Sequence, residues 1–499
     1  MNLRFWACII AIYLVGYELT YSQSGLRPRG DVNCDWEVNI SDVNVLIDSI
    51  IKGAHYHSFY SYAADVNDDH EITISDMNLV ICAILGQEVS PMPSYSGALP
   101  VLYINTEGHQ DIVSEEEYLQ ANWWLDNMGN DAYESIGSAQ PQQGMLIKGR
   151  GNWTWKNYDK KSFRIKLDDK HPLMGMHSNR HFCLLAHADD FLAYLKNTMG
   201  FELSRRVGLA YTPAQEPVEV VLNGQFIGLY FLTEKIRVGK HRVNIEEQMD
   251  GETDPQRITG GWLLETPTGR EDNTLWFLEQ PDNDIWLAVN PQSPEILSEQ
   301  QTTYIRNYIQ SANDAIYTED KTSVEWEKYI DIDTLAMYYI VGEIMDDLEY
   351  FAGSCYLYKR RGDSTKLIFG PVWDFGNAFQ RWAIYQDTQF NKFIFEEPNP
   401  FTSSHWIEEI VKFPHFQQML RVHWQSFYQQ GFNGLDLDQY MDVFVNKIRS
   451  AFDCDLKRWP KYWNNIDLQK MEFSNFIHRK IDWLDAQWGK TQSNDESSQ

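Results

Sequence analysis

Hydrophobic positions divide the chain into an apolar leader, a repeated pair of amphipathic helices, and a long segment that alternates like strands in front and repeats like helices behind. The leader is an apolar run over residues 5–17, placed behind Arg4 and followed by small and polar residues near Ser22. It is shorter than the roughly 20 residues of a membrane span, so 1–23 predicts a secretory signal and the mature chain is expected to have no transmembrane segment. Val43, Leu46, Ile47, Ile50 and Ile51 recur at helical spacing, as do Met77, Val80, Ile81 and Ile84. Each pattern stops at a glycine, Gly53 or Gly86, as a C-cap would.

Residues 89–99, rich in Pro, Ser and Gly, read as a linker. Beyond them 100–489 reads as one domain, with strands at 101–105, 145–148, 162–167, 218–222 and 229–233. Asn223-Gly224 is a hairpin signal. Helices are expected at 192–207, 323–346, 415–431, 437–452 and 468–488. A strand-rich front and a helix-rich back predict an α+β domain of two lobes. Trp406, Trp424, Trp459, Trp463, Trp483 and Trp488 fall at helical spacing and read as core rather than a carbohydrate platform. Residues 490–499 read as a disordered polar tail.

Composition narrows the function. The 499 residues include 71 Asp+Glu against 42 Lys+Arg, a net charge of −29, which argues against a nucleic-acid binder and suits a protein that binds divalent cations. With hydrophobic residues at 43% and aromatics at 14%, a sizeable core is assured. The cysteines past the signal, at 34, 82, 183, 355 and 454, show no CxxC spacing. They form neither a zinc site nor a disulfide framework, with Cys34–Cys82 left open as a single bridge.

The repeat carries a cation pattern. Asp31, Asn33, Asp35 and Asp42 occupy positions 1, 3, 5 and 12 of a loop that returns as Asp65, Asn67, Asp69 and Asp76. Oxygen donors at that spacing converge on one Ca²⁺ in each loop. The spacing and the duplication over 29–88 resemble a type I dockerin. The resemblance implies calcium binding, a cohesin-like partner, and recognition by loop positions 10 and 11, here Ile40-Ser41 and Ile74-Ser75. Trp36 and His70 stand where that family usually has glycine, which strains the turn.

The long segment carries, in order, Lys148-Gly149-Arg150-Gly151-Asn152-Trp153, Lys160-Lys161-Ser162-Phe163-Arg164-Ile165-Lys166, Phe201-Glu202-Leu203-Ser204-Arg205-Arg206, Leu222-Asn223-Gly224, Leu232-Thr233-Glu234-Lys235, Gly260-Gly261-Trp262-Leu263-Leu264-Glu265 and Gly370-Pro371-Val372-Trp373-Asp374-Phe375. This ordered set is similar to the CotH spore-coat kinase family, and implies a two-lobed atypical kinase-like fold using ATP with Mg²⁺ or Mn²⁺.

Phosphoryl transfer needs cations on the nucleotide phosphates, carboxylates for the metal and a base at the acceptor hydroxyl. Arg150 and the glycines beside it suit an anion, and Lys166 has the place of the phosphate-binding lysine, with Lys161 the competing choice. Glu234 and Glu202 are candidates to pair with that lysine, and Glu265 is a candidate second carboxylate at the cleft. Asp374 is the candidate Mg²⁺ ligand. Glu349 stands where the family usually has its catalytic Asp, and Ser354 follows five positions on; Lys196-Asn197 replaces the usual Arg-Asn. Glu349 acts as base, Asp347 has taken over, or the site is inactive.

The expectation is an exported protein that phosphorylates Ser or Thr of an extracellular or surface protein, secreted or periplasmic. An inactive kinase-like scaffold and a surface adhesin or carbohydrate-associated module are the alternatives.

Overall fold

The duplicated helices, Ile40–Lys52 and Ile74–Ile84, turn their apolar stripes onto each other and bury Val43, Leu46 and Val80 with Val32, Ala64 and Val66. The second begins in a capping box between Thr73 and Asp76. The computed structural model describes residues 27–52, 61–66, 72–87, 94–140, 143–267, 274–280, 285–380, 390–396, 406–430, 434–462 and 464–489. The expected signal 1–23, Gly53, Asn67, Asp69, His70, residues 89–93 of the linker, Trp463 and the tail 490–499 lie outside the described residues. The chain divides into two compact units, the first formed by 1–189, 215–234 and 446–464, and the second by 190–214, 235–445 and 465–499.

In the first unit seven strands follow the helical pair: β1 Val101–Thr106, β2 Leu119–Asp126, β3 Gln143–Arg150, β4 Ser162–His171, β5 Asn179–Leu185, β6 Gln215–Leu222 and β7 Gln225–Glu234. They close into a barrel of order β1-β2-β3-β4-β5-β7-β6, in which β1 and β6 pair in parallel. One face of each strand, carrying Leu102, Ile104, Trp123, Ile147, Ile165, Phe182 and Leu184, is buried as the barrel interior. The Asn223-Gly224 turn has both residues at positive φ, 52° and 81°, as a tight hairpin demands. Residues 446–464 are anchored by fully buried Asp455, which pairs with Lys160 at 2.9 Å and accepts from the Leu229 N–H at 2.8 Å.

The second unit holds an antiparallel sheet of order β12-β11-β8-β10-β9, built from β8 Trp262–Thr266, β9 Leu275–Gln280, β10 Ile285–Ser293, β11 Cys355–Lys359 and β12 Leu367–Phe369. Its helices include Leu195–Val207, Glu299–Ile316, Ile332–Ile344, Pro414–Gln430 and Ile466–Trp488. Ile332–Ile344 is buried on nearly every side, which explains why its hydrophobic residues show little one-sided periodicity.

The α+β class holds, whereas the expected two-lobed kinase-like arrangement is not established: the strand-rich front is a closed barrel. Alternation along a strand marks its two faces but does not name its neighbours, and the parallel β1–β6 pairing is the step alternation leaves unspecified. The helix expected over 323–346 is interrupted, because Asp331 caps a new start by accepting from the Thr334 N–H at 2.9 Å. Cys34 and Cys82 are both free thiols, so the bridge left open by the sequence is not formed. Trp406, Trp424, Trp459 and Trp488 are buried, as core packing requires. Among the described residues, no helix is long and apolar enough to cross a membrane.

Candidate functional site

Where the buried helix Ile332–Ile344 ends, the chain makes a tight turn that carries Asp346, Asp347 and Glu349. Asp346 takes φ 46° and its carboxylate is held by fully buried Lys480 at 2.9 Å, so it serves packing. Asp347 is 1% exposed; its Oδ1 accepts from the Glu349 N–H at 3.1 Å, while its Oδ2 is buried with no hydrogen-bond partner. Tyr350 packs back on the helix by stacking on Tyr338 at 4.3 Å, and Gly342 is required there because a Cβ would meet the Tyr350 ring at 2.3 Å.

The segment carrying Asp374 is stitched to this turn. Asp347 bridges Ala378 in antiparallel fashion, and the Phe379 N–H donates to the Met345 carbonyl at 3.1 Å. Helix Leu195–Val207 supports the segment from the other side: Asn197 Oδ1 accepts from the Phe375 N–H at 3.1 Å, and Lys196 Nζ donates to the Gly376 carbonyl at 2.7 Å. The Phe375 ring lies directly on Gly200, where a Cβ would sit 2.3 Å from it. Asp374 itself is exposed and held at φ 60°, a left-handed conformation that costs a non-glycine residue about 1 kcal/mol or more.

Three carboxylates thus share one corner. Burial, then Asp374, pushes the Glu349 carboxyl up to about 7. Asp347 is raised well above the ordinary carboxylate range, first by burial and then by Glu349; Asp374 adds to this and Lys196 opposes it. Anions crowded this way, one with an orphaned buried oxygen, have the donor chemistry of a divalent-metal site. As they stand, no three acidic, His or Cys side chains among the described residues are drawn together as a metal cage. Ser354 is half-buried at φ 52°.

In the first unit, register decides which cations share a surface. Residues paired directly across antiparallel strands point to the same side. The pairs Lys148↔Arg164, Arg150↔Ser162 and Leu146↔Lys166 therefore set Lys148, Arg150, Arg164 and Lys166 on the outer face of β3 and β4. Lys148 and Arg164 stand opposite one another, and burial, then Arg164, lowers the Lys148 pKa. The Arg164 Nε is buried with no hydrogen-bond partner.

Glu234 lies in the row Ile165–Phe182–Glu234, on the opposite face from Lys166, so these two are not brought together. Lys161 is engaged by the Trp155 carbonyl and lies over the Trp155 ring at 5.3 Å. Gly149 is occupied as well: its N–H donates to Ser114 at 2.8 Å, and a Cβ would strike the Trp155 ring at 2.4 Å. Glu202 pairs with Arg206 at 2.7 Å and Arg205 at 3.6 Å on its own helix. Glu265 lies half-buried in β8, between β10 and β11.

The first cation loop is folded around its own carboxylates. Asp31 accepts from the N–H groups of Asp35 at 3.0 Å and Trp36 at 2.9 Å. Asp42 accepts from Val32 at 2.7 Å, Asn33 at 3.1 Å and Asn39 at 2.9 Å. The second loop repeats this: Asp76 accepts from Val66 at 2.7 Å and Thr73 at 2.9 Å. Asp65 is buried like its counterpart, while Asn67 and Asp69 lie outside the described residues. Burial raises Asp31 to about 6 against the opposing pull of Arg27, and raises Asp42 too. Buried Asp31 and Asp42, with half-buried Asn33 and exposed Asp35, make an all-oxygen set that fits a hard cation.

Comparison with known families gives two matches. The model described as CotH kinase protein matches residues 147–484. The chain belongs to the CotH kinase protein family. A second model, Dockerin type I domain, matches residues 29–88. Among curated proteins, none matches the chain. Type I dockerins bind calcium, dock on cohesins and occur in extracellular proteins.

The CotH match contains every cation of the β3–β4 face and all three carboxylates of the turn. Lys148 and Arg164 were missed as candidates by the motif reading. The period-two spacing 148, 150 and 164, 166 was their signal, visible once both stretches are read as adjacent strands.

Proposed function

We propose that this CotH family member binds ATP with Mg²⁺ or Mn²⁺ and transfers the γ-phosphoryl group to a Ser or Thr hydroxyl of an extracellular or surface protein, while its dockerin module holds it to a cohesin-type partner. The observation that carries this reading is the corner formed by Asp347, Glu349 and Asp374, with the orphaned Asp347 oxygen and Lys196 beside it. Asp374 and Asp347 would hold the cation, which supplies charge neutralisation for the phosphate oxygens. The acceptor oxygen attacks the γ-phosphorus, the bond to the β,γ-bridging oxygen breaks to release ADP, and the acceptor proton passes to a carboxylate. Glu349, raised to about 7, is part-ionised at neutral pH and suits that task.

Within the first unit, Arg150 and Lys166, joined by Lys148 and Arg164 on the same face of β3 and β4, are the cations proposed for a phosphate group. Lys161 and Glu234 are weaker choices, the one engaged by Trp155 and the other on the interior face. In the dockerin module, Asp31, Asn33, Asp35 and Asp42 would hold one Ca²⁺, and Asp65, Asn67, Asp69 and Asp76 the second. Ile40 and Ile74 are 65% and 62% exposed at equivalent loop positions, which supports a cohesin surface there.

A catalytically silent nucleotide-binding scaffold is the competing reading, favoured by Glu349 standing at the family's Asp position. Phosphate transfer by the wild type and by Glu349→Asp separates the two. Transfer by the wild type supports the kinase reading, and a rate gain in the variant marks a displaced base. Nucleotide binding with no transfer by either chain establishes the scaffold.

A further inference from the structure

The first cation loop does not stand apart from the barrel. Arg27, four residues before Asp31, is buried, and its side chain reaches two ways. One guanidinium nitrogen pairs with Asp31, while Nε donates to the Asn223 carbonyl at 3.0 Å. Its backbone N–H donates to the Gly224 carbonyl. Thus both carbonyls of the hairpin turn are engaged by a single residue just ahead of the module. The turn that receives it is rigid: Asn223 accepts through Oδ1 from the Thr106 N–H at 2.9 Å, and its own N–H donates to Ile104 at 2.8 Å.

Trp36 completes the contact. The Arg27 guanidinium lies 4.6 Å from the centre of its ring. A Cβ added to Gly224 would meet the indole at 3.2 Å and Arg27 Cβ at 2.8 Å, so only glycine leaves room for this approach. Trp36 occupies loop position 6 at φ 69°. A calcium loop needs its sharp turn there, which is why glycine ordinarily fills the place. A tryptophan left to itself avoids that conformation. Here its N–H donates to Asp31 at 2.9 Å, and its indole rests on Arg27 beside Gly224, which adds to that restraint.

We infer that the first calcium loop docks in cis on the Asn223-Gly224 turn of the barrel through Arg27 and Trp36, and that this docking and calcium binding at the first loop favour one another. Docking supplies the position-6 geometry that a bulky residue would otherwise resist, so a free module binds calcium less tightly at this loop. By reciprocity, calcium at the first loop tightens the docking. The inference concerns the module and the barrel alone and stands or falls independently of phosphate transfer.

The test is Gly224→Asn in the full chain. Asparagine tolerates positive φ, so the hairpin is preserved while its side chain blocks Arg27 and Trp36. Calcium titration calorimetry should show the affinity of one site falling on the order of tenfold with the other unchanged. Phenylglyoxal labelling read by mass spectrometry should find Arg27 protected in the calcium-loaded wild type and modified in the variant. Trp36→Gly, which removes the indole and restores the flexible residue, should expose Arg27 to labelling without lowering calcium affinity. Unchanged calcium affinity in Gly224→Asn, or equal Arg27 labelling in wild type and Gly224→Asn, overturns the inference.

Discussion

In the proposed phosphoryl transfer, Glu349 is the residue assigned to take the acceptor proton. Its raised pKa means that below about 7 it holds a proton and cannot accept one from a hydroxyl. The rate of phosphate transfer should therefore climb with pH through neutrality and level off above it. Glu349→Gln should abolish that rise. The same shift affects stability with a definite sign. Between the ordinary glutamate value near 4.5 and about 7 the folded chain binds more protons here than the unfolded chain, so this group's contribution to stability falls as pH rises across that window. In metal-free buffer, denaturant titrations at pH 5 and pH 8 should show a smaller loss for Glu349→Gln than for wild type. An equal loss in both would mean that Glu349 is not the group involved.

Gly200 belongs to the same scale. The Phe375 ring occupies the space of its missing side chain, and Phe375 directly follows Asp374. Gly200→Ala should cost about 1–3 kcal/mol by overpacking and should weaken metal–nucleotide binding by displacing Asp374. Thermal unfolding and Mn²⁺–ATP titration read the two effects separately. Asp374 and Glu349 were legible as candidates from their motifs. The support beneath them was not, because Gly200 and Phe375 are far apart in the chain and only folding makes them neighbours.

Among the elements, β3 and β4 show what a pattern does and does not reveal. Phe163, Ile165 and Leu167 alternate with Arg164 and Lys166 in β4, β3 offers the apolar run Met145-Leu146-Ile147, and both strands were legible from that. Their antiparallel register was not, and it is the register that sets Lys148 against Arg164 and separates Lys166 from Glu234. Like charges facing one another across strands are unfavourable, so the pair is sustained best by an anion between them. Lys148→Met and Arg164→Met should each weaken ATP binding several-fold and raise thermal stability slightly in its absence. Binding unaffected by both substitutions would remove the face from the account. The strands β2 and β5 escaped the sequence reading: Leu119, Ala121, Trp123 and Leu125 do alternate with Gln120, Asn122 and Asp126, but Trp124 interrupts the polar face, and Asn179–Leu185 opens on polar residues.

For the molecule as a whole, two folding domains of different dependence are expected. The dockerin buries a small apolar cluster, Val32, Val43, Leu46, Ala64, Val66 and Val80, and relies on oxygen-rich loops whose carboxylates burial penalises. The barrel and the helical unit have large cores of their own. Chelation should therefore melt the dockerin transition and leave the main one within a few degrees of its calcium-loaded value. The duplicated loops made the module legible, since two copies of one spacing leave little room for coincidence. The barrel was not legible, because closing it depends on pairing β1 with β6 across more than a hundred intervening residues.

The most direct test of the central claim, that Asp347, Glu349 and Asp374 form a metal–phosphate centre, is transfer of label from γ-³²P-ATP in Mn²⁺ to a Ser- and Thr-containing acceptor protein, comparing wild type with Asp374→Asn. Label incorporated by wild type and lost by at least a hundredfold in the variant is the predicted result, in line with removing a transition-state charge partner. Incorporation by both at the same rate would contradict the account.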